Sequence, residues 1–409
     1  MDNIKIITEH WDKIDPKKIA DYVAVGGYET LRKFVCEADP ASALQEIKKS
    51  GLLGRGGAGF PIGDKLELVA SSNKKEKYFI CNLDESEPGT YKDREIAKNN
   101  PHLLIEGIAL ASLIIGAKKA FIYLNGNYEE EEEILECALS QSIENGFIGE
   151  GILGSEYGLE MEVFQGAGAY ICGEETALLN SIEGRRGEPR LRPPYPTDKG
   201  LWGHPTAIGN AETVSNFPWI IKNGGAEYSR IGSADSPGTK LYTLGGSVKN
   251  TGIFELPTGI SIRDLIQKSG GGMMLGKEFW FAQIGGASGR LVLENELEEK
   301  LVLKKGAKIP LGSGAVLVVD KTVDIHDMIL SWTGFFRRES CGKCVPCREG
   351  TFRLFEIAKR MNNGKMSERD KAAVSDILWA LENTTFCPFG KFSATAFRDT
   401  VEKLNISNS

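Results

Sequence analysis

Residues 339–350 read Glu339-Ser340-Cys341-Gly342-Lys343-Cys344-Val345-Pro346-Cys347-Arg348-Glu349-Gly350, and Cys387-Pro388 follows forty residues after the third cysteine. Ferredoxin-type ligand runs share this C-x2-C-x2-C start and the Cys-Pro ending. Three thiolates at this spacing can bind one face of an iron–sulfur cube, and a distant cysteine can supply the fourth iron ligand. A tetrahedral zinc site and a disulfide set are the alternatives, but structural zinc usually uses two separated cysteine pairs. The spacing therefore favours a 4Fe-4S cluster and a chain that handles electrons, with the ligands Cys341, Cys344, Cys347 and Cys387.

Helical patterns surround the cysteine run on both sides. Amphipathic spacing predicts four helices, over residues 324–337, 352–361, 367–382 and 390–404. The cysteine triplet then lies between the first two helices, and Cys387 lies between the last two. Because a four-helix bundle can bring these two loops to the same end, the sequence predicts a C-terminal helical domain that carries the cluster.

The two parts of the chain before residue 323 have different patterns. Residues 1–235 alternate short apolar runs, such as 77–82 and 120–124, with helical periods at 101–117 and 128–145. This alternation predicts βαβ units and a mostly parallel sheet. In the part from 236 to 322, strand-like stretches joined by glycine-rich turns predict a small separate α+β domain, with strands at 240–246, 252–257 and 315–319 and a helix at 261–269.

The composition excludes several classes of function. A chain of 409 residues with 41% hydrophobic and 26% charged residues is typical of a globular protein of two or three domains. The net charge of -7 argues against nucleic acid or an anionic membrane as the main partner. No signal-peptide pattern is visible, and the longest apolar stretch, residues 103–117, is too short to span a bilayer. We therefore expect a soluble, cytoplasmic protein without direct membrane contact.

The cysteines and histidines point in the same direction. Eight cysteines in an unexported protein indicate metal or redox chemistry rather than disulfides. The four histidines form no H-E-x-x-H motif, which argues against a histidine-based metalloenzyme. Four cysteines lie outside the cluster pattern and are expected to be buried free thiols: Cys36, Cys81, Cys137 and Cys172.

A glycine-rich loop covers residues 54–63 and is followed by Lys65. Without Cβ atoms, such a backbone can approach a ligand closely and offer its N–H groups to phosphate, with the lysine cation nearby. The loop matches neither a Walker loop nor a strict G-x-G-x-x-G motif, and a simple turn is the alternative.

Three further stretches favour a nucleotide or flavin site. Residues 81–89 follow a predicted strand, where α/β folds place their ligand crevice. Residues 166–176 form a second glycine-rich loop that leads into a helix, and acidic groups there would suit ribose hydroxyls or the edge of a cofactor ring. The basic, proline-stiffened stretch 185–196 carries an aromatic ring that could stack on a base. Capped turns and a generic surface loop are the alternatives.

Together these residues resemble the NADH-binding flavoprotein subunit of respiratory complex I and its relatives, the β (diaphorase) subunits of NAD-linked iron hydrogenases and formate dehydrogenases. The resemblance covers about residues 20–400 and is carried by residues 54–65, 82–89, 166–175, 190–196, 210–213 and the cysteine set. It implies a Rossmann-like FMN- and NADH-binding domain over residues 1–235, a ubiquitin-like β-grasp domain over 236–322, and a helical bundle over 323–409 that holds one 4Fe-4S cluster.

The resemblance also implies roles for individual residues. FMN would be held by Gly54, Arg55, Gly56, Gly57, Lys65, Asn82, Asp84, Glu85, Gly173, Glu174 and Asn210. NADH would be held by Phe60 and Tyr195 on either side of its adenine, and by Glu87 and Glu175 near its ribose and nicotinamide, with Tyr170 in the same cofactor site. A carboxylate such as Glu175 close to the adenosine should repel a 2′-phosphate, which favours NAD over NADP.

Two positions depart from the family pattern. Residues 65–68 read Lys-Leu-Glu-Leu where the family commonly has Lys-Trp-Ser-Phe, so one aromatic side chain near the NADH pocket is lost. The common Asn-Asn pair is Gly209-Asn210 here, which removes one flavin contact. These departures favour the diaphorase subunit of a soluble NAD-linked iron hydrogenase over the entry subunit of complex I, which stays as the alternative. A zinc-stabilised scaffold without catalysis is the alternative from a different class.

The implied reaction is hydride transfer between NADH and FMN, followed by single-electron transfer through the cluster. The cofactors carry this chemistry, so no acid–base residue is expected. Lys343 and Arg348 beside the thiolates would offset the charge of the cluster. A thioredoxin-like 2Fe-2S subunit and a larger iron–sulfur subunit of a hydrogenase, or of complex I, are the expected partners.

Overall fold

A four-stranded parallel sheet forms the centre of the first part of the chain. The computed structural model describes residues 4–37, 39–304 and 306–404. The strands β1 (Tyr78–Leu83), β2 (Lys119–Leu124), β3 (Glu160–Gln165) and β4 (Thr206–Asn210) lie in the order β3-β2-β1-β4, and all pairs are parallel. β1 and β2 are buried almost throughout, as is typical of central strands covered on both faces. The predicted parallel α/β sheet is therefore confirmed.

Helices cover this sheet and supply most of its core. The longest apolar one, α6 (Pro101–Ile115), is capped by Asn100, whose side chain accepts a hydrogen bond from the Leu103 backbone N–H, and is followed by Gly116 in the left-handed region. All of its residues are buried, including Glu106, and its bounds agree with the prediction within two residues. The helices of this part are α1 (Ile19–Ala24), α2 (Glu29–Glu37), α3 (Pro40–Ser50), α4 (Ile62–Ala70), α5 (Lys92–Asn99), α6 (Pro101–Ile115), α7 (Glu129–Glu144), α8 (Glu175–Ile182), α9 (Pro196–Lys199), α10 (Ala211–Val214), α11 (Phe217–Asn223) and α12 (Gly225–Ser229).

A mixed five-stranded sheet forms the second part. After the short pair β5 (Gly232–Ser233) and β6 (Ser236–Pro237), its strands are β7 (Thr239–Gly246), β8 (Gly252–Pro257), β9 (Phe279–Ile284), β10 (Arg290–Val292) and β11 (Ala315–Asp320). Their order is β10-β9-β11-β7-β8, in which only the central β7 and β11 are parallel. The helix α13 (Ile262–Asp264) continues into a wider turn over Leu265–Ser269. The predicted small α+β unit is present.

The C-terminal part is helical, as predicted, with two differences in the bounds. Its helices are α14 (Ile325–Glu339), α15 (Val345–Asn362), α16 (Glu368–Thr384), α17 (Pro388–Phe392) and α18 (Thr395–Leu404). α15 begins seven residues earlier than predicted because Pro346 suits the first turn of a helix. The predicted helix over 390–404 is two helices, and Ser393 at their junction donates its hydroxyl to the Gly390 carbonyl.

The cores of the three parts are not independent. One hydrophobic cluster joins Ile80 and Phe121 of the parallel sheet to Phe281 of the second sheet and Phe336 of α14. Within the described residues, no helix combines the length and the apolar character needed to cross a bilayer. Two of the four other cysteines, Cys81 and Cys172, are buried as predicted, whereas Cys137 is half-buried and Cys36 is exposed.

Candidate functional site

The carboxyl ends of β1 and β4 form one side of the candidate site. These strands are adjacent and parallel, with Asn82 opposite Asn210, so both end at the same edge of the sheet. α/β folds place their ligands at this edge. Asn82 Nδ2 donates to the Gly173 carbonyl oxygen at 2.9 Å. The fold therefore brings the second glycine-rich loop to the ends of both strands.

The first glycine-rich loop lies over the same edge. It is closed by a hydrogen bond from the Gly54 amide to the Phe60 carbonyl at 2.9 Å. A Cβ on Gly56 would lie 3.2 Å from Asn210 Cβ, and a Cβ on Gly59 would lie 2.3 Å from the Leu303 carbonyl oxygen. The loop is thus packed between the end of β4 and the second sheet, and a larger residue at either position would displace it.

Arg55 is oriented away from this loop. Its guanidinium is fully buried and donates to the Tyr228 hydroxyl at 3.2 Å and to the Pro237 carbonyl at 2.5 Å. Its backbone N–H donates to Thr213 Oγ1 at 2.8 Å. The side chain therefore anchors the loop to the segments around residues 213, 228 and 237, and a ligand in the crevice would meet the glycines rather than the guanidinium.

Two carboxylates and two cations form a paired cluster beside the loops. Lys65 Nζ bonds to the Glu175 carboxylate and donates to the Ile208 carbonyl at 3.0 Å. Arg192 pairs with Glu174 and lies 3.8 Å from Glu175. Burial opposes ionisation of Glu175, but Lys65 and Arg192 outweigh it and hold its pKa below the ordinary value.

This pairing changes the expected effect on a dinucleotide. Glu174 also accepts hydrogen bonds from the Thr176 and Ala177 amides and so caps the N-terminus of α8. Since each carboxylate has a cationic partner, the local charge is close to balanced. A 2′-phosphate would therefore meet weaker repulsion from Glu175 than an unpaired carboxylate would exert.

Glu87 and Tyr170 lie on the other side of the crevice. The Tyr170 hydroxyl donates to one oxygen of Glu87, and the backbone N–H and hydroxyl of Ser288 donate to the other oxygen at 2.8 and 3.0 Å. Burial is the largest influence on Glu87 and raises its pKa despite these hydrogen bonds. Ser288 lies in the turn between β9 and β10 of the second sheet, so Glu87 is positioned by two different parts of the chain.

Tyr170 also connects the crevice to the helical part. Its ring packs against Phe335 and Phe336 of α14 and against Phe389 of α17, with centroid distances of 5.2, 6.4 and 5.7 Å. Its backbone N–H donates to Glu339 at 2.9 Å. Phe389 lies two residues after Cys387, so Tyr170 and Phe389 together connect the crevice to a cysteine loop.

The two aromatic rings that the sequence analysis assigned to NADH are exposed. Phe60 in the first glycine-rich loop and Tyr195 before α9 are 48% and 53% exposed. Lys65 Nζ lies 5.9 Å from the centroid of the Phe60 ring. Rings with this much free surface can stack on a planar ligand.

The four cysteines of the sequence motif occupy the loops at one end of the C-terminal helices. Cys341 lies between α14 and α15, Cys344 precedes the first residue of α15, and Cys387 precedes the first residue of α17. Burial raises the pKa of Cys347 to about 12, and the proximity of the other three thiols adds to this effect. The helices thus bring together all four sulfurs that the spacing singled out.

Comparison with known proteins agrees with this geometry. Residues 47–219 match the model of the Nuo51 FMN-binding domain, residues 241–290 an SLBB domain, and residues 327–405 the NADH-ubiquinone oxidoreductase-F iron-sulfur binding region. The second F-type NADH-quinone oxidoreductase subunit of Rhizobium meliloti (strain 1021) is 40% identical over 395 residues, which cover 96% of this chain and 94% of that protein. The chain belongs to the family of F-type NADH-quinone oxidoreductase subunits.

Hydrogenase subunits are also similar to this chain. The NADP-reducing hydrogenase subunit HndC of Solidesulfovibrio fructosivorans is 38% identical over 401 residues, which cover 98% of this chain and 81% of that protein. The crystal structure of an NAD+-reducing NiFe hydrogenase in the H2-reduced state superposes with a TM-score of 0.86 at 32% identity, over 99% of this chain and 67% of that chain. The predicted family, the oxidoreductase class and the cofactors FMN, NAD(H) and 4Fe-4S are therefore confirmed.

An unpaired carboxylate oxygen shows that the crevice suits a flavin. Asp84 Oδ1 accepts from Ser86 Oγ at 2.8 Å, whereas the buried Oδ2 has no hydrogen-bond partner among the described residues. Burial, opposed by Ser86 and reinforced by Glu339, raises the pKa of Asp84 to about 7. A buried acceptor without a partner is costly, and the N–H of a flavin ring would satisfy it. A Cβ on Gly173 would lie 3.4 Å from the Asp84 carbonyl oxygen, so Gly173 lies directly beside Asp84.

The donor set of the cysteine loops suits an iron–sulfur cluster. Four neighbouring thiolates repel one another, so they require a compensating cationic centre. Within the described residues, no three or more His, Cys, Asp or Glu side chains converge closely enough for a single metal ion. The match of residues 327–405 to the iron-sulfur binding region supports the cluster rather than the zinc alternative.

The two cations predicted to offset the cluster charge are attached to neighbouring loops. Lys343 Nζ donates to the Pro189 carbonyl at 2.7 Å and to Glu188 at 3.1 Å. Arg348 donates to the Gly342 carbonyl at 2.8 Å. Lys343 therefore shares its charge with Glu188 and joins the 185–196 stretch to the cysteine loop.

Glu85 has a structural contact that the sequence did not indicate. Its buried carboxylate accepts the backbone N–H groups of Asp93 and Arg94, at 2.9 to 3.1 Å, and so caps the first turn of α5. Burial and the Asp93 charge raise its pKa to about 8. Four buried charged residues of the same region were not singled out from the sequence: Lys92, Asp93, Glu212 and Lys240. The available signal was Lys240, a lysine inside a predicted strand.

A separate cavity of about 530 Å³ lies between α8, the 185–196 stretch and the turn at Leu201–Gly203. Arg190 and Trp202 line it, and Arg190 is held there by Glu183 at 2.7 Å. None of the residues predicted to hold FMN, NADH or the cluster lines this cavity, so it is distinct from the crevice.

Proposed function

We propose that the chain is the NADH-oxidising, or NAD-reducing, flavoprotein subunit of an NAD-linked iron hydrogenase. The observation that carries this proposal is the position of Tyr170, which touches Glu87 in the crevice and Phe389 beside the cysteine loop. A flavin in the crevice and a cluster at the cysteines would then be neighbours, as two-electron chemistry followed by single-electron transfer requires. The 99% coverage of this chain by the NiFe hydrogenase structure supports the hydrogenase assignment.

The site residues of this proposal are those of the sequence analysis, with their roles sharpened by their contacts. The residues proposed to face FMN are Gly54, Gly56, Gly57, Lys65, Asn82, Asp84, Gly173, Glu174 and Asn210. Arg55 and Glu85 would act behind them, because their side chains anchor the loop and cap α5. For NADH the proposed residues are Phe60, Glu87, Tyr170, Glu175 and Tyr195, and for the cluster Cys341, Cys344, Cys347 and Cys387.

In this proposal the protein binds and orients, and no side chain acts as a general acid or base. Bound FMN and the cluster supply hydride exchange with the nicotinamide and single-electron transfer. Asp84 Oδ2 would accept a hydrogen bond from the flavin ring, and the glycine backbone amides would bind the phosphate. Tyr170 and Ser288 hold Glu87 in one orientation, while Phe60 and Tyr195 stack on the adenine.

The architecture can be described more finely as part of the proposal. A β-grasp fold for the second sheet is supported by its strand order, in which β7 and β11 are parallel neighbours at the centre. A four-helix bundle is supported by the sequence of helices α14, α15, α16 and α18 around the cysteine loops. The proposed domains are 1–235, 236–322 and 323–409.

Entry of electrons into respiratory complex I is the second candidate. It is favoured by the 40% identity to the F-type NADH-quinone oxidoreductase protein of Rhizobium meliloti over nearly the whole of both chains. In either assembly we propose a thioredoxin-like 2Fe-2S subunit and a larger iron–sulfur subunit as partners, and a cytoplasmic location. Affinity purification of the full chain from its own cells, followed by mass spectrometry, separates the candidates. Recovery of a hydrogenase catalytic subunit supports the first, and recovery of quinone-reducing membrane subunits supports the second.

The proposed reaction is tested with the full chain reconstituted with FMN. NADH should bleach the flavin absorption and reduce an artificial acceptor, and NADPH serves as the matched control. Metal analysis of the same sample should give iron and sulfide. Equimolar zinc without a flavin band, or a flavin that NADH does not bleach, would contradict the proposal.

A further inference from the structure

A buried ionic network lies directly behind the proposed flavin crevice. Six ionisable side chains from four separate segments take part, and none is more than 7% exposed: Arg55, Glu85, Lys92, Asp93, Glu212 and Lys240. Lys92 Nζ lies 2.7 Å from Asp93 Oδ1 and 3.0 Å from Glu212 Oε2. Lys240 of β7 lies 2.5 Å from the same Glu212 oxygen, and Glu212 Oε1 accepts the Leu241 amide at 2.8 Å. The network therefore joins the end of the parallel sheet to the second sheet.

Buried charges in a network of this kind stabilise a core less effectively than apolar side chains do. Removing a charge from water costs several kcal/mol per ion, and apolar side chains of similar volume are often as stable or more stable. Lys92 pairs with Asp93 and Glu212, and Lys240 pairs with Glu212, so these ion pairs offset part of that cost, whereas Arg55 and Glu85 bond to uncharged groups. Because stability alone does not favour this ionic network, its presence suggests a geometric role. Its contacts show which side chain it orients.

The oriented group is the side-chain amide of Asn210. Asp93 Oδ2 accepts from Asn210 Nδ2 at 2.8 Å. On the other side of the amide, Asn210 Oδ1 accepts the Glu212 backbone N–H at 3.1 Å and faces Lys92 Nζ at 3.5 Å. An anion on one side and two donors on the other permit only one orientation of the amide. Among the described residues, the other N–H of Asn210 has no hydrogen-bond partner, and the amide nitrogen lies beside Gly56 of the first glycine-rich loop.

We propose that Asp93 is a positioning residue for FMN, which it serves by holding Asn210 so that a single N–H faces an acceptor atom of the cofactor. The inference rests on the proposed flavin site. It is specific to a chain with Gly209 before Asn210, because only one asparagine is available at the end of β4. A Cβ at position 209 would lie 3.0 Å from Val214 and 3.1 Å from Phe79, so the packing leaves little room for a second side chain there.

Asp93→Asn is the informative substitution. Asp93 Oδ1 accepts from Lys92 Nζ at 2.7 Å and from the Glu212 amide at 3.1 Å, while Oδ2 accepts from Asn210. An asparagine has only one acceptor oxygen, so it cannot serve both sides, and Asn210 must turn or move. In the full chain depleted of FMN, titration with FMN and flavin fluorescence should give a dissociation constant at least tenfold above that of the wild type.

Two further variants separate positioning from general stability. Glu106→Gln also neutralises a buried carboxylate, one that accepts from Tyr22, Tyr28 and Leu31 far from Asn210 in the chain. It should lower the melting temperature but keep the FMN dissociation constant within twofold of the wild type. The double variant Asp93→Asn/Asn210→Asp again places a hydrogen-bond donor opposite an acceptor, with the donor now at position 93 and the acceptor at position 210. It should recover part of the melting temperature while FMN affinity stays low, because a carboxylate would then face the cofactor.

The possible results distinguish the inference from the function on which it rests. Normal FMN affinity in Asp93→Asn, together with weak affinity in Asn210→Leu, would overturn the positioning role alone. Normal affinity in Asn210→Leu would remove Asn210 from the proposed flavin site. FMN affinity that follows the melting temperature through all variants, Glu106→Gln included, would show that the network is structural only.

Discussion

Replacing Asp84 by asparagine should stabilise the FMN-free chain and weaken its binding of FMN. The carboxylate oxygen Oδ2 is buried without a hydrogen-bond partner among the described residues, and burial raises the pKa from 3.8 to about 7. A carboxyl whose folded pKa is raised keeps its proton longer in the folded state. Its effect on stability is therefore absent below the unfolded pKa and becomes a loss as the pH rises toward the folded pKa.

The magnitude follows from this shift. Full ionisation of Asp84 costs the folded chain about 4 kcal/mol at pH 8, of which about 2–3 kcal/mol develops between pH 5 and pH 8. Asparagine has no such cost, and its shape is the same. The melting temperature of Asp84→Asn should accordingly exceed that of the wild type by several degrees at pH 8 and by much less at pH 5. Loss of a charged acceptor should weaken FMN about 10- to 150-fold, since such a hydrogen bond contributes about 1.5–3 kcal/mol.

Melting curves of the FMN-free chain at pH 5 and pH 8 test the first expectation, and fluorescence titration with FMN tests the second. Asp376→Asn, on the exposed face of α16, is the matched control and should change neither quantity. The reasoning is refuted if the melting-temperature difference between Asp84→Asn and the wild type does not grow with pH. It is also refuted if the variant binds FMN as tightly as the wild type.

Three other substitutions address different parts of the molecule. Tyr170→Phe keeps the aromatic packing but removes the hydroxyl that donates a hydrogen bond to Glu87. The KM for NADH should therefore rise several-fold with the iron content unchanged, and an unaltered KM would contradict this role. Cys347→Ser should abolish the iron–sulfur absorption and leave one FMN per chain, whereas the exposed Cys36→Ser should keep both, and equal loss in the two variants would argue against the ligand assignment. Glu255 accepts the backbone N–H groups of residues 6–8, so Glu255→Gln should destabilise the chain by about 1–3 kcal/mol and speed proteolysis near the N-terminus; unchanged proteolysis and melting would count against this anchor.

The sequence predicted the elements whose signals are local. The buried strands β1 and β2 and the helices α6 and α7 occur within two residues of their predicted bounds, because apolar periods and capping residues act over a few neighbouring positions. The cysteine spacing likewise identified its four sulfurs before any geometry was available. The split of the last predicted helix into α17 and α18 was missed, because the hydroxyl of Ser393 competes for a backbone carbonyl in a way that composition does not reveal.

In the candidate site, local sequence signals do not predict the directions of the side chains. Arg55 and Asp84 belong to adjoining motifs of the same resemblance, yet one side chain is buried behind its loop and the other presents an unpaired oxygen. Residue type cannot predict where each side chain points. The direction of the Arg55 side chain depends on Tyr228 and Pro237, which are more than 170 residues away in the chain. Glu85 was predicted at the flavin, and its carboxylate caps α5.

By itself, the sequence determined what the chain can bind. Thiols at fixed spacing, glycines in tight loops and alternating apolar runs are properties of short segments, and they indicate cluster, cofactor and sheet without long-range information. Only the tertiary structure decided which charges pair. Nothing in the local sequence shows how Lys92, Asp93, Glu212 and Lys240 pair, because the energy of a charge depends on its burial and on partners brought near by folding. The orientation of Asn210 is set by those partners and not by its neighbours in the chain.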